Sequence, residues 1–85
     1  MSWKWEYAFG AEEAARTAPA DFLTQVETRA EELVRAAEAV HLHGRSHQGP
    51  DPKGADVIVP GGMFRYQIVV RSERVYVVQI TYLGF

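Results

Sequence analysis

Trp3, Trp5, Tyr7 and Phe9 stand at every second position, with Lys4, Glu6 and Ala8 between them. Period two sends alternate side chains to opposite faces of an extended chain, so this segment is expected to be a half-buried strand closed by Gly10. Ala11 to Thr17 is rich in helix formers and reads as a short helix broken by Pro19. Pro19 also suits the first turn of a new helix, where its missing N–H costs nothing, and Asp21 favours the positive end of that helix's dipole. From there Phe22, Val26, Ala30, Leu33, Ala37 and Val40 follow at spacings of three or four, one apolar stripe along a long α-helix. Glu31 and Arg35, one turn apart on the wet side, are expected to pair, and Gly44 to supply the left-handed residue that ends the helix. Gly44 to Gly54, with three glycines and two prolines, reads as a surface loop.

The rest of the chain reads as Asp56 to Pro60, a Gly61-Gly62 turn, Met63 to Val70, an Arg71-Ser72-Glu73-Arg74 turn, and Val75 to Tyr82. This is an antiparallel meander. Strict alternation puts Phe64, Tyr66, Ile68 and Val70 on one face of the second run, against Met63, Arg65, Gln67 and Val69. In the third run it sets Tyr76, Val78, Ile80 and Tyr82 against Val75, Val77, Gln79 and Thr81. Arg65, Gln67, Gln79 and Thr81 then share an open face. The predicted fold class is α+β in the order β-α-α-β-β-β, a single domain over residues 1–85, with the first strand pairing with one of the later three.

A chain of 85 residues supports one core and no second domain. It has no cysteine, which excludes disulfides, thiolate metal cages and thiol nucleophiles, and a reducing cytoplasmic setting is expected. Lys4 and Glu6 interrupt the N-terminal aromatics, so no signal peptide is expected there. No run approaches the roughly 18 apolar residues of a membrane span. The net charge of −2 is uneven: residues 1–40 hold four bases against eight acids, and residues 41–85 five against three. The acidic helical half and basic sheet half make a dipolar molecule.

Three features together carry a family resemblance: the element order, Lys53-Gly54 just ahead of the meander, and Phe64-Arg65-Tyr66 in its second strand. With the Ala- and Glu-rich short helix and the proline before the long one, the chain resembles the RelE/ParE superfamily of bacterial toxins over nearly its whole length. The resemblance implies the toxin of a type II toxin-antitoxin system. Such a toxin acts either as a ribosome-dependent, metal-independent mRNA endoribonuclease or by binding a target such as gyrase. Lys53, Arg65 and Tyr82 are the positions that match the family's catalytic pattern.

In the nucleolytic branch a ribose 2′-hydroxyl attacks the neighbouring phosphate, which calls for cations at the phosphorus and an acid or base at the oxygens. The resemblance assigns phosphate stabilisation to the planar guanidinium of Arg65, a second charge to Lys53, and base stacking or proton transfer to Tyr82. Gln67, Gln79, Arg71 and Arg74 are the accompanying binding candidates. The implied partners are a cognate antitoxin peptide or protein and mRNA on the ribosome, with a homodimer as a further expectation and no membrane or cofactor. The net negative charge and the chain's Thr81-Tyr82-Leu83-Gly84-Phe85 ending depart from the basic family pattern, and few cations imply weak RNA affinity.

Two other readings stand beside this one. His41, His43 and His47 cluster at the helix end, but His41 and His43 point about 200° apart on a helix, and Asp51 is the nearest acid for a third ligand. They serve more simply as cations near the last helical carbonyls. Glu12-Glu13 and Glu31-Glu32 are adjacent, so each pair splits around its helix as solvated surface, and no nucleophile elbow or phosphate loop is present. The reading from a different class is a small non-catalytic interaction or dimerisation domain of the same shape.

Overall fold

The computed structural model describes residues 3–41 and 54–84. Strand β1 (Lys4–Tyr7) is followed by helices α1 (Phe9–Ala15) and α2 (Ala20–His41) and strands β2 (Gly54–Val59), β3 (Gly62–Val69) and β4 (Arg74–Tyr82). The α+β order is the expected one. The four strands form one sheet in the order β1-β4-β3-β2, with β2-β3-β4 an antiparallel meander and β1 parallel to β4. Gly44, His43, His47, Asp51, Lys53 and most of the expected Gly44–Gly54 loop lie outside the described residues, although Gly54 itself opens β2.

Phe9 does not extend the first strand. The Ala8 N–H bonds to the Val77 carbonyl at 2.8 Å, the last rung toward β4, while the Ala8 carbonyl already accepts from Glu12 at 2.9 Å. Ala8 thus turns strand directly into helix, and α1 starts two residues before the expected Ala11. It ends as Arg16 and Thr17 bond back to Glu13 and Ala14, and the Pro19 carbonyl accepts the Leu23 N–H at 3.0 Å to open α2. The proline sits where no donor is missed.

The buried stripe of α2 is Phe22, Val26, Ala30, Val34 and Ala37. Val34 takes the place expected of Leu33, which is half-buried, and Val40 is 64% exposed because the stripe has rotated off the sheet by the last turn. Phe22, Val26 and Ala30 pack on Phe64, Val59, Val77 and Ile80; Val34 and Ala37 pack on Trp3 and Val75. The helix therefore runs from the β2–β3 hairpin toward β1. All of this core lies on one side of the sheet.

Glu31 does not pair as expected with Arg35. Its carboxylate accepts from Trp5 Nε1 at 3.0 Å, and Glu27, one turn earlier, accepts from the Tyr7 hydroxyl at 3.2 Å. Trp5 and Tyr7 meet edge to face at 5.0 Å, so these two rungs fasten the edge strand β1 to α2. The ion pair in this stretch of α2 is instead Arg29–Glu32 at 3.2 Å. Burial, reinforced by the Glu27 charge and hydrogen bond, holds the Tyr7 phenol protonated far above the usual 10.0. A raised pKa in the folded state stabilises fully below the unfolded value and is lost as pH climbs through the folded one. The stability advantage of the wild type over Tyr7→Phe is therefore expected to be flat at neutral pH and to shrink above pH 10.0, read from urea midpoints.

Strict alternation fails in β4. The β3–β4 register runs Phe64↔Ile80 and Arg65↔Gln79, then Tyr66↔Val77, so Val78 is the extra residue of a β-bulge. The bulge reverses the inward set. Val75 and Val77 are fully buried beneath the helices together with Ile80, and Tyr76 goes to the opposite face. The expected set of Tyr76 and Val78 with Ile80 is thereby corrected.

Candidate functional site

Because both helices lie on one side, the other side of the sheet has no cover among the described residues. The registers set its side chains in rows across the strands: Ile58, Met63 and Thr81; Asp56, Arg65 and Gln79; then Gln67, Tyr76 and Glu6. A last row holds Val69, Arg74 and Lys4. Ile58 is 72% exposed. A shallow pocket of about 110 Å³ lies over the second row, bounded by Asp56, Met63, Arg65, Gln79 and Thr81.

Four of the five charges of this face are paired within it, and Lys4 is the fifth. Arg65 Nε donates to Asp56 Oδ1 at 2.9 Å and its Nη2 to Oδ2 at 3.4 Å, a forked pair between directly opposed residues of β3 and β2. The Arg65 hydrogen bond and charge hold the Asp56 carboxyl below the ordinary aspartate range, and the same contact raises the guanidinium further. Arg74 Nε donates to Glu6 at 2.9 Å, and its Nη1 donates to the Ser72 and Glu73 carbonyls at 3.2 Å. Glu73 takes φ 54°, the left-handed turn that sets Arg74 on the face beside β1.

The residues singled out from sequence are thus only partly brought together. Arg65, Gln67, Gln79 and Arg74 share the open face, and Arg71 lies exposed in the 3-10 turn Val70–Ser72 at its end. Tyr82 does not join them. It lies on the Ile80 side of the sheet, its ring 5.1 Å from that of Phe22, and is 49% exposed. The bulge falls before Ile80, so it leaves Tyr82 in phase with the helix side. Lys53 lies outside the described residues. Asp56, which sequence reasoning passed over, is the residue that most alters the chemistry, because it occupies the Nε–Nη2 fork of Arg65 and offsets its charge.

Replacing Asp56 by Asn should weaken that fork and remove one negative charge from the face. Asp56→Asn is expected to bind single-stranded RNA more tightly than wild type, with a log–log salt slope steeper by about one. Filter binding across a salt series measures both quantities.

Comparison with protein families, with curated proteins and with solved structures finds no match for this chain.

Proposed function

We propose that this chain is a toxin-like module of the RelE/ParE kind that acts by binding a protein target through its open sheet face, not by cutting RNA. What carries the reading is the forked Asp56–Arg65 pair at the centre of that face. Cleavage by a 2′-hydroxyl needs a net positive charge at the phosphate and a nearby acid or base. Here the arginine's charge is matched by a carboxylate of the same sheet, and the tyrosine of the family pattern is on the other side. A protein surface makes different demands.

Matched ion pairs, the two amides of Gln67 and Gln79, and the side chains of Ile58, Met63 and Tyr76 give the mixture of polar and apolar groups that suits a protein partner. Fixed pairs of opposite charge also set the register of such a partner more than they add affinity. An antitoxin segment and the target would compete for this face.

Expression in bacteria tests the proposal. Wild type is expected to arrest growth, the Arg65→Ala, Gln79→Ala variant to relieve the arrest, and Tyr82→Ala, altered on the helix side, to leave it in place. Unimpaired growth with folded wild-type protein would discard the toxin reading. It would leave the second one, a small interaction or dimerisation domain, which the same ion-paired face favours.

A further inference from the structure

We infer that two copies of this chain pair antiparallel through the outer edge of β2, joining their sheets into one. The inference rests on the backbone edge of β2, which the proposed target-binding role does not require, so the two can fail separately although Ile58 and Asp56 belong to both surfaces. β2 ends the strand order, with no described strand beyond it. Soluble proteins blunt such edges with lysine, proline or an inward charge. From Gly54 to Val59 there is no lysine and no proline, and the one charge, Asp56, is drawn back onto Arg65 of its own sheet.

The backbone of this edge is presented in a definite way. Val59 and Gly62 are paired across the two-residue turn Pro60-Gly61, which makes them the closing hydrogen-bonded pair of the hairpin. The Gly61 carbonyl accepts from Leu83 at 2.8 Å, so odd-numbered positions at this end of β3 bond toward β4 and even-numbered ones toward β2. Val59, Val57 and Ala55 therefore spend their backbone groups on β3. The N–H and C=O of Ile58 and Asp56 face outward.

Apart from Asp56, the side chains of the edge are apolar on both sides of the sheet. Ile58 stands 72% exposed on the open side. On the helix side Ala55 is exposed and Val57 only half-buried, because α2 runs from the hairpin toward β1 and leaves the start of β2 behind. A two-fold axis at Val57 satisfies all of these groups together. It sets Asp56 opposite Ile58 of the second copy, where their outward backbone groups exchange hydrogen bonds, and Ala55 opposite Val59. The two Val57 side chains meet on the axis.

In that register no carboxylate faces another, and each Asp56 keeps its own arginine. An axis at Asp56 would set two carboxylates directly opposite, and an axis at Ile58 would push the overlap past Val59 into the Pro60 turn. The strand is thus complementary to itself in one register, which is why the occupant inferred is a second copy and not a foreign peptide.

Sedimentation over a concentration series, with three variants, tests this. Ile58→Pro removes an outward N–H while sparing the ladder to β3, and Ile58→Thr keeps it. Wild type and Ile58→Thr are expected to approach twice the monomer mass, and Ile58→Pro to dimerise at least about tenfold more weakly. The chain has no native cysteine, so Val57→Cys reports the register directly. A non-hydrogen-bonded antiparallel pair sets its Cα atoms about 4.5 Å apart, within disulfide reach. Val57→Cys should cross-link under mild oxidation, and Ala36→Cys, exposed on α2, should not. If Ile58→Pro proves unfolded by circular dichroism, the cross-link decides alone. A wild type that stays monomeric throughout, or a dimer that Val57→Cys does not cross-link, overturns the inference.

Discussion

Phe64→Ala is expected to cost about 3–5 kcal/mol, a fall in Tm of roughly 15–30 °C for a domain of this size. Phe64 is 1% exposed and leads the fully buried side chains, ahead of Val26, Val75 and Val77. It lies opposite Ile80 on the sheet and beneath Phe22 and Val26 of α2, so truncation opens a cavity lined by three elements at once. Total stabilities of small domains are about 5–15 kcal/mol, so the variant would stand near the edge of folding. Phe64→Leu, which keeps most of the volume, should cost about 1.5 kcal/mol or less. Thermal and urea unfolding of the two variants separates a cavity effect from a general intolerance of substitution. Arg65 is the next residue along β3, so loss of this anchor would also blur the open face.

Gly62→Ala is the second large effect, expected to cost about 2 kcal/mol or more. A Cβ at Gly62 would lie well inside contact distance of the Thr81 carbonyl oxygen, and 3.0 Å from the Phe22 ring. The ring has some room to move. The carbonyl belongs to the backbone of β4 where Gly62 faces Tyr82, so relief requires parting the two strands. Gly10 provides the opposite case. It lies within α1, and an added Cβ would meet nothing within 4 Å, so Gly10→Ala should stabilise by about 0.5–1 kcal/mol through helix propensity. Urea midpoints moving in opposite directions at constant slope would establish both.

The same glycine-rich turn marks where sequence reasoning stops being sufficient. Period two in Trp3 to Tyr7, the apolar stripe of α2 and the three C-terminal runs were legible, because each is a local pattern with a single periodicity. Placing the turn at Gly61-Gly62 instead of Pro60-Gly61 was a one-residue difference. It shifts the β2–β3 register by two, setting Asp56 against Gln67 and hiding the pair with Arg65. Gly61 carries the positive φ of 97°, and proline before it suits the first central position of such a turn, so Pro60-Gly61 was the physical signal available.

The bulge at Val78 was not legible in the same way. Val75, Val77 and Val78 are alike in polarity, and which of them turns inward is decided by what packs above. Trp3, Val34 and Ala37 cover Val75, and Val77 belongs to the Phe22, Val26 and Phe64 cluster; these are distant contacts that no window along β4 contains. The reversal sends Tyr76 to the open face, yet it ends before Ile80, so Tyr82 stays on the helix side. Arg65 and Tyr82, matched to one catalytic pattern by resemblance, therefore stay on opposite faces, as alternation alone already placed them. The hydrogen bonds from Trp5 and Tyr7 to Glu31 and Glu27 were hidden for a related reason: acids one turn apart on a helix look solvated until an edge strand is laid beside them.

The central claim is that the open face acts by binding and not by cutting, and mapping RNA 5′ ends in cells arrested by the wild-type chain tests it most directly. The expected result is growth arrest with the RNA end profile of an uninduced culture. New ends within translated messages that vanish in Arg65→Ala would contradict it, and would mean that Arg65 leaves Asp56 to take up phosphate.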